Sequence, residues 1–355
     1  MRILIATPMF PPESGDPAPY VQGLAERLSE AHTVTVVAYA STSIPLSRAR
    51  LITVDKARSL PSRMLRFFLK VFIRSMSADV VVCHGALASG VPAALACMLT
   101  RKPLIVRFIN DESWHGYYEP GSLPSRPASA QLRAFLQKIV LRSARTVLVS
   151  SAAMANHVKG AYGVAAAVVP DPLEPDERIP FTPSLVLRSI LMSGKLDVHS
   201  GAEEAVAGFK DVTNRFPDAT LMVMAEGPLE GKLREARAAN ITFPGVLPRA
   251  EAAFERRSAE LEIILNGPES GREAAHARRT GKPVIMIDGP WIEKNESDDG
   301  PLIVDKESGA ISTAISELFQ NGGQRAQMVK VGKEEANRNT WESHLANLSS
   351  VLESL

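Results

Sequence analysis

Two stretches of the chain collect side chains that could do chemistry. In the first, Asn110-Asp111 follows an apolar run, and Trp114, His115, Tyr117 and Tyr118 come close behind. A carboxylate at a strand end can accept a proton from a hydroxyl, and flat rings can stack on sugar faces. The same residues can equally hold a turn or anchor the loop on the core. In the second, Glu269, Glu273 and His276 fall within one short segment. Glu273 and His276 lie one helical turn apart and so share a face. Glu269 precedes that helix, where a carboxylate can meet a ligand or simply the positive end of the dipole. Lys195 closes another apolar run and is either an anion-facing or a solvated strand-end lysine. A third feature is a stripe of Arg66, Lys70 and Arg74 beside an apolar one of Leu65, Phe68, Leu69 and Phe72. That pattern fits an ordinary sheet-covering helix, or one that docks on an anionic membrane through the stretch from Arg58 to Arg74.

These residues need elements to position them. A branched apolar run over residues 2–7, a Pro- and Gly-rich loop to Asp16, and apolar residues at helical spacing after Pro17 predict an opening βα unit. In a doubly wound sheet the loop from Thr7 to Asp16 would face a cleft at the carboxyl ends of the strands. Further strands are expected over 33–39, 50–54, 79–83, 103–108, 146–149 and 166–169, with helices over 59–76, 87–99, 129–143 and 151–161. Residues 170–183, rich in proline and acid, read as a linker. Beyond it, strands over 189–192, 220–224, 241–243, 262–265, 283–287 and 302–304 alternate with helices over 201–215, 229–239, 249–257 and 272–280. Helices over 311–319, 325–337 and 341–355 close the chain. Alternation of this kind predicts parallel sheets covered on both faces.

Composition agrees. A length of 355 residues with 45% hydrophobic content suits two cores. The 40 basic and 39 acidic residues give a net charge of +1, so no global field recruits nucleic acid. Cys83 and Cys97 sit in apolar surroundings and build no disulfide framework, which suits a reducing cytoplasm. No leader or spanning segment is expected.

Specific motifs carry a resemblance. Pro11-Pro12-Glu13-Ser14-Gly15-Asp16 resembles the opening loop of family 4 glycosyltransferases. Gly194-Lys195-Leu196 stands where that family has Gly-Arg-Leu, and Ala225-Glu226-Gly227-Pro228 where it has Gly-x-Gly-Pro. Phe243-Pro244-Gly245-Val246 is similar to its strand and glycine beside the base. Gly281-Lys282-Pro283-Val284 resembles the turn after its glutamate-bearing helix, and Trp341-Glu342 its closing Trp-Glu pair. The resemblance spans nearly the whole chain. It implies an α/β, GT-B architecture with two Rossmann-like, doubly wound domains facing a cleft.

The resemblance further implies an acceptor-binding domain over 1–175, a nucleotide-sugar-binding domain over 184–335, and a helix over 336–355 packing back on the first. The expected reaction moves a sugar from a UDP- or GDP-type donor to a glycan or lipid-linked acceptor, with retention and without cofactor or metal. The leaving phosphate itself would help deprotonate the acceptor. Gly194, Lys195 and Ser200 would lie near the diphosphate, Glu226 and Gly227 near the base or ribose, and Glu269 near the sugar. Gly15 and Asp16 would come from the opposite wall, with Asp111 near the reacting centre and Asn110, Trp114 and His115 on the acceptor. The chain also departs from the family. His276 stands where the ribose-binding glutamate belongs, Glu269 is one residue from the sugar-binding position, and Glu273 is a potential substitute. A family lysine has become Ser200, and losing a direct phosphate contact costs roughly 1–3 kcal/mol. A non-catalytic relative that binds a sugar nucleotide or partner, or a nucleotide-sugar epimerase, is the competing expectation. Polysaccharide biosynthesis in the cytoplasm, at or near the inner face of the membrane, is the implied setting.

Overall fold

The computed structural model describes residues 1–13, 17–57, 59–109, 111, 127–172, 187–235, 239–245, 247, 249–267, 269–292 and 300–354. The chain divides into two units. The first takes in its described part up to Val169 and the residues from Asn347, and the second is Pro170–Ala346.

The first unit is built on strands β1 (Arg2–Thr7), β2 (Thr33–Tyr39), β3 (Arg50–Val54), β4 (Val80–His84), β5 (Leu104–Arg107), β6 (Thr146–Val149) and β7 (Ala167–Val168). All pair in parallel, in the order β3-β2-β1-β4-β5-β6-β7. Helices α1 (Ala18–Leu28), α2 (Leu60–Ser75), α3 (Gly90–Thr100), α4 (Pro127–Ser143) and α5 (Ala152–Tyr162) connect them. Ile3, Leu4, Ile5 and Ala6 are wholly buried, as a central strand covered on both faces requires. The chain runs outward from β1 to β3 and then returns to β4, so the strand order reverses between β1 and β4. Such a switch point opens a crevice outside the carboxyl ends of the two strands.

Helix α2 sits at an unexpected rotation. Phe67, Val71 and Ser75 are buried, and Phe67 stacks on Tyr39 at 4.2 Å. The expected stripe is not what meets the sheet: Leu65 and Leu69 are 58% and 44% exposed. The helix is apolar on more than one face, and the aromatic stack decides which one turns inward.

The second unit repeats the plan with β8 (Ser189–Lys195), β9 (Thr220–Glu226), β10 (Ile241–Thr242), β11 (Leu261–Ile264), β12 (Val284–Ile287) and β13 (Leu302–Val304). The order is β10-β9-β8-β11-β12-β13, again all parallel. The switch point therefore falls between β8 and β11. Between and after the strands come α6 (Ala202–Arg215), α7 (Glu230–Glu235), α8 (Arg249–Ser258), α9 (Ser270–Arg279), α10 (Ser308–Gln320) and α11 (Gly322–Ala336), and the closing α12 (Trp341–Glu353) begins in this unit while its residues from Asn347 count with the first. Strand β8 runs three residues further than its apolar content suggests, so Gly194 and Lys195 belong to the ladder itself. Phe209, Ile263, Ile285 and Ile311 are among the fully buried residues of this unit's core.

Candidate functional site

In the second unit, β8 and β11 deliver their last residues to the switch point. Lys195 pairs in register with Glu226 of the neighbouring strand, so a cation and a carboxylate end adjacent strands. The turns after them are stapled together. Leu196 N–H donates to the Glu226 carbonyl at 2.9 Å, and Leu229 N–H to the Leu196 carbonyl at 3.1 Å. Gly227 has φ +156°, and a Cβ there would lie 2.3 Å from the Leu196 carbonyl oxygen. Only glycine fits that crossing. The Glu226 carboxylate in turn lies over Gly245, 3.5 Å from where a Cβ would be. Arg234 donates to the Phe243 carbonyl at 2.6 Å and covers its ring. The Gly-Lys-Leu, Glu-Gly-Pro and Phe-Pro-Gly segments thus gather along one edge of the sheet.

The other half of this edge comes from β11. Asn266 N–H donates to the Ser200 carbonyl at 3.0 Å, tying the β11 loop to the turn that opens α6. Ser270 Oγ donates to the Leu265 carbonyl and receives Gly267 N–H, both at 2.7 Å, which closes a tight turn ahead of α9. Glu269 is the residue before that helix, its side chain makes no capping bond, and its carboxylate lies over Gly267. Burial pushes the Glu269 carboxyl above its ordinary range, opposed by its own N–H and by the charges of Arg272 and Lys195. The structure therefore brings Lys195, Arg272 and Glu269 into one electrostatic neighbourhood. Gly201, with φ +83° and Ile287 2.7 Å from a would-be Cβ, starts α6 with no side-chain cap, and a helix's first turn is where backbone N–H groups are available to an anion.

Two expected donor residues are spoken for. The Ser200 hydroxyl is fully buried and donates to the Asp197 carbonyl at 2.8 Å, so it closes a turn rather than facing an anion. Glu273 points to Arg256, whose Nη2 is 2.7 Å away. That guanidinium also forks onto Glu262, with Nε–Oε2 at 2.9 Å and Nη2–Oε1 at 2.9 Å, and Ser193 Oγ donates to Glu262 at 2.7 Å. Burial disfavours the ionised form of Glu273, yet Arg256, Arg272 and His276 outweigh it and hold the carboxyl at about 2. Glu273 is thus part of an internal ion-pair network, and His276 stands in its field on the same helix. Glu262, wholly buried, is pushed up by that burial against the pull of Arg256. Nothing in the local spacing announces this network. Arg272, beside Glu269, is the functional candidate that the motif reading passes over.

In the first unit Asp111 is not placed as a base. It is 3% exposed, and Gln137 Nε2 donates to its Oδ1 at 2.7 Å. Tyr162 OH donates to Oδ2 at 2.6 Å, and His157 Nε2 lies 2.8 Å from the same oxygen. A carboxylate held by Gln137, His157 and Tyr162 ties α4 and α5 to the strand end, which is a positioning role. Gly15, Asp16, Asn110, Trp114 and His115 lie outside the described residues. The switch point of this unit offers a different group. His84, fully buried at the end of β4, sits in register with Arg107 of β5. Tyr20 of α1 packs edge-on to His84 at 5.4 Å, and the Arg107 guanidinium stacks over Tyr20 at 4.5 Å. His84 and Arg107 end strands with uninterrupted apolar runs, so their position at the carboxyl edge was the available signal.

Comparison with known proteins fits this geometry. Residues 15–172 match the sequence model of the glycosyl transferase 4-like domain. Over that stretch the chain is similar to this domain, and its two parallel sheets have the GT-B fold. Solved structures share the whole fold. HepE of Anabaena, determined in complex with UDP, superposes with a TM-score of 0.75 over 100% of both chains at 16% identity. A glycosyltransferase of Rickettsia africae superposes at 0.71 over 99% of this chain and 97% of its own, at 15% identity. A Listeria monocytogenes protein described as a UDP-N-acetylglucosamine 2-epimerase superposes at 0.65 over 100% and 97%, at 16% identity. No protein of curated function matches the chain.

Proposed function

We propose that the protein is a glycosyltransferase that takes a sugar from a nucleotide-sugar donor bound by the second unit. The observation that carries this reading is the convergence of Lys195, Arg272 and Glu269 at the β8/β11 switch point, next to the amino-terminal end of α6. A diphosphate needs cations and backbone donors, which Lys195, Arg272 and the α6 terminus supply. Glu226, beside Gly245, suits a ribose or base edge. Glu269 suits the hydroxyls of the departing sugar, and burial gives its carboxyl reason to seek donors. UDP is the favoured nucleotide, since HepE is known in complexes with UDP and with UDP-glucose. We assign the acceptor, a glycan or lipid-linked hydroxyl, to the first unit.

In the proposed step the bond from the anomeric carbon to the β-phosphate oxygen breaks and a bond to the acceptor oxygen forms on the same face. The acceptor proton passes to the leaving phosphate. That assignment suits a chain whose Asp111 is enclosed, because no separate carboxylate base is needed. The epimerase reading rests on the similarity to the Listeria protein and requires only the second unit's nucleotide site in common. Incubation with a panel of nucleotide sugars separates the two. Transfer releases UDP in proportion to added acceptor, whereas epimerisation makes a new sugar nucleotide without net release. Lys195→Ala should weaken UDP binding by about 1–3 kcal/mol, read by titration calorimetry. Unchanged affinity would remove the site.

A further inference from the structure

The first unit presents a surface that its own fold does not explain. Helices α2, α3 and α4 lie side by side, α2 packing on α3 and α3 on α4. Each turns large apolar side chains to solvent. On α2 these are Leu65, Leu69 and Ile73, the last 52% exposed. On α3 they are Leu95, Met98 and Leu99, with Met98 at 69%. On α4 they are Leu132, Phe135 and Ile139, with Phe135 at 59%. Scattered exposed leucines need no account, but three adjacent helices with apolar outer stripes form a patch that does.

The charge on these helices has one sign. None of the three contains an aspartate or a glutamate. Helix α2 carries Arg63, Arg66, Lys70 and Arg74, and α4 carries Arg133, Lys138 and Arg142. Arg66 and Arg142 are exposed. Past the end of α2, Arg74 lines a cavity of about 410 Å³ with Arg50 and with Arg2 and Arg48, the last two paired with Asp79 and Glu30. Apolar stripes on helices that carry cations and no acid match the boundary of an anionic bilayer, with acyl chains below and phosphates at the rim. A second copy of this chain fits badly. A two-fold contact lays the patch on itself and sets these cations against each other without an acid to separate them.

We infer that the α2–α3–α4 face is a docking surface for an anionic lipid membrane, on which the protein rests without crossing it. Among the described residues no helix is long and apolar enough to span a bilayer. The inference stands apart from the donor site, because it uses no residue of the second unit.

Flotation of the full-length protein with vesicles, in the absence of any sugar nucleotide, tests it. Vesicles of phosphatidylcholine mixed with phosphatidylglycerol should carry the protein upward, phosphatidylcholine alone should not, and added salt should release it. The pair Arg66→Gln and Arg142→Gln should lower partitioning roughly thirtyfold, from about fivefold per charge near such a surface. The pair Leu69→Ser and Phe135→Ser should abolish it while leaving the melting temperature unchanged, since both side chains already face water. Equal flotation on neutral and anionic vesicles, no flotation at all, or variants that bind like the parent would each overturn the inference. A dimer in sedimentation that Leu69→Ser and Phe135→Ser dissociate would overturn it too, and would make the face a contact between copies.

Discussion

The two units share a plan and use charge in opposite ways. Each has a parallel sheet with a switch point, and each carries polar side chains there. In the second unit the ionised groups are drawn inward: the buried Arg256 and Glu262 form a network with the part-buried Glu273 behind the edge where Lys195 and Glu269 stand. In the first, the interior near the switch point holds aromatic rings, an imidazole and the hydrogen-bonded Asp111, while the helices send unbalanced cations outward. Exposed large apolar residues follow the same division: in the second unit the described ones are Leu187, Val198 and Phe254, against the stripes on three helices of the first. The contrast teaches that one scaffold can hold charge to shape a pocket or leave it on a surface to meet a partner.

The largest expected effect tests the inward half of that contrast. Arg256→Met strands the buried Glu262 and the part-buried Glu273, and breaking such a network costs about 3–5 kcal/mol. Urea denaturation should show the loss, and adding Glu262→Met and Glu273→Met should restore most of it. A loss below about 1 kcal/mol would mean the network is decorative. The next effect belongs to the first unit. Asp111→Ala leaves Gln137 and Tyr162 without their shared acceptor and should cost about 2–3 kcal/mol. Turnover measured well below the melting temperature should stay within a few-fold of the parent. A large fall in turnover with unchanged stability would instead make Asp111 a group that touches substrate.

Much of this fold is legible in the residues alone, for a physical reason. Branched apolar runs such as Val80–His84 have no other stable place than a covered sheet, and glycines at Gly194, Gly201 and Gly227 mark where the chain must turn closely. Three things resist reading. The rotation of α2 is ambiguous because both the Leu65–Leu69 stripe and the Phe67–Val71 stripe are apolar at helical spacing, and the Tyr39 stack that decides comes from a distant strand. The enclosure of Asp111 depends on Gln137 and Tyr162, which local spacing cannot bring near. Glu273 looks like a ligand residue from its place on α9, and only the meeting of α8 with β11 shows that Arg256 holds it.

The smallest effect separates the two glutamates at the start of α9 and so sharpens the comparison within the second unit. Glu273, held at about 2 against an ordinary value of 4.5, binds its proton more weakly when folded. Its contribution to stability is therefore complete above the ordinary value and fades as pH falls from there toward 2. Glu269 behaves in the reverse sense. Burial raises its carboxyl, so the folded state prefers the proton, and keeping the group ionised at neutral pH works against folding. Glu269→Gln should then stabilise the protein by about 1 kcal/mol at pH 7 while weakening its hold on a nucleotide sugar, the trade expected where a site is built for a ligand rather than for the fold. Denaturation midpoints at pH 7 and pH 4 give the check: the gain should shrink at the lower pH, where Glu269 of the parent takes up its proton. If the substitution destabilises at pH 7 as a broken contact would, Glu269 is part of the framework, and the distinction between it and Glu273 disappears.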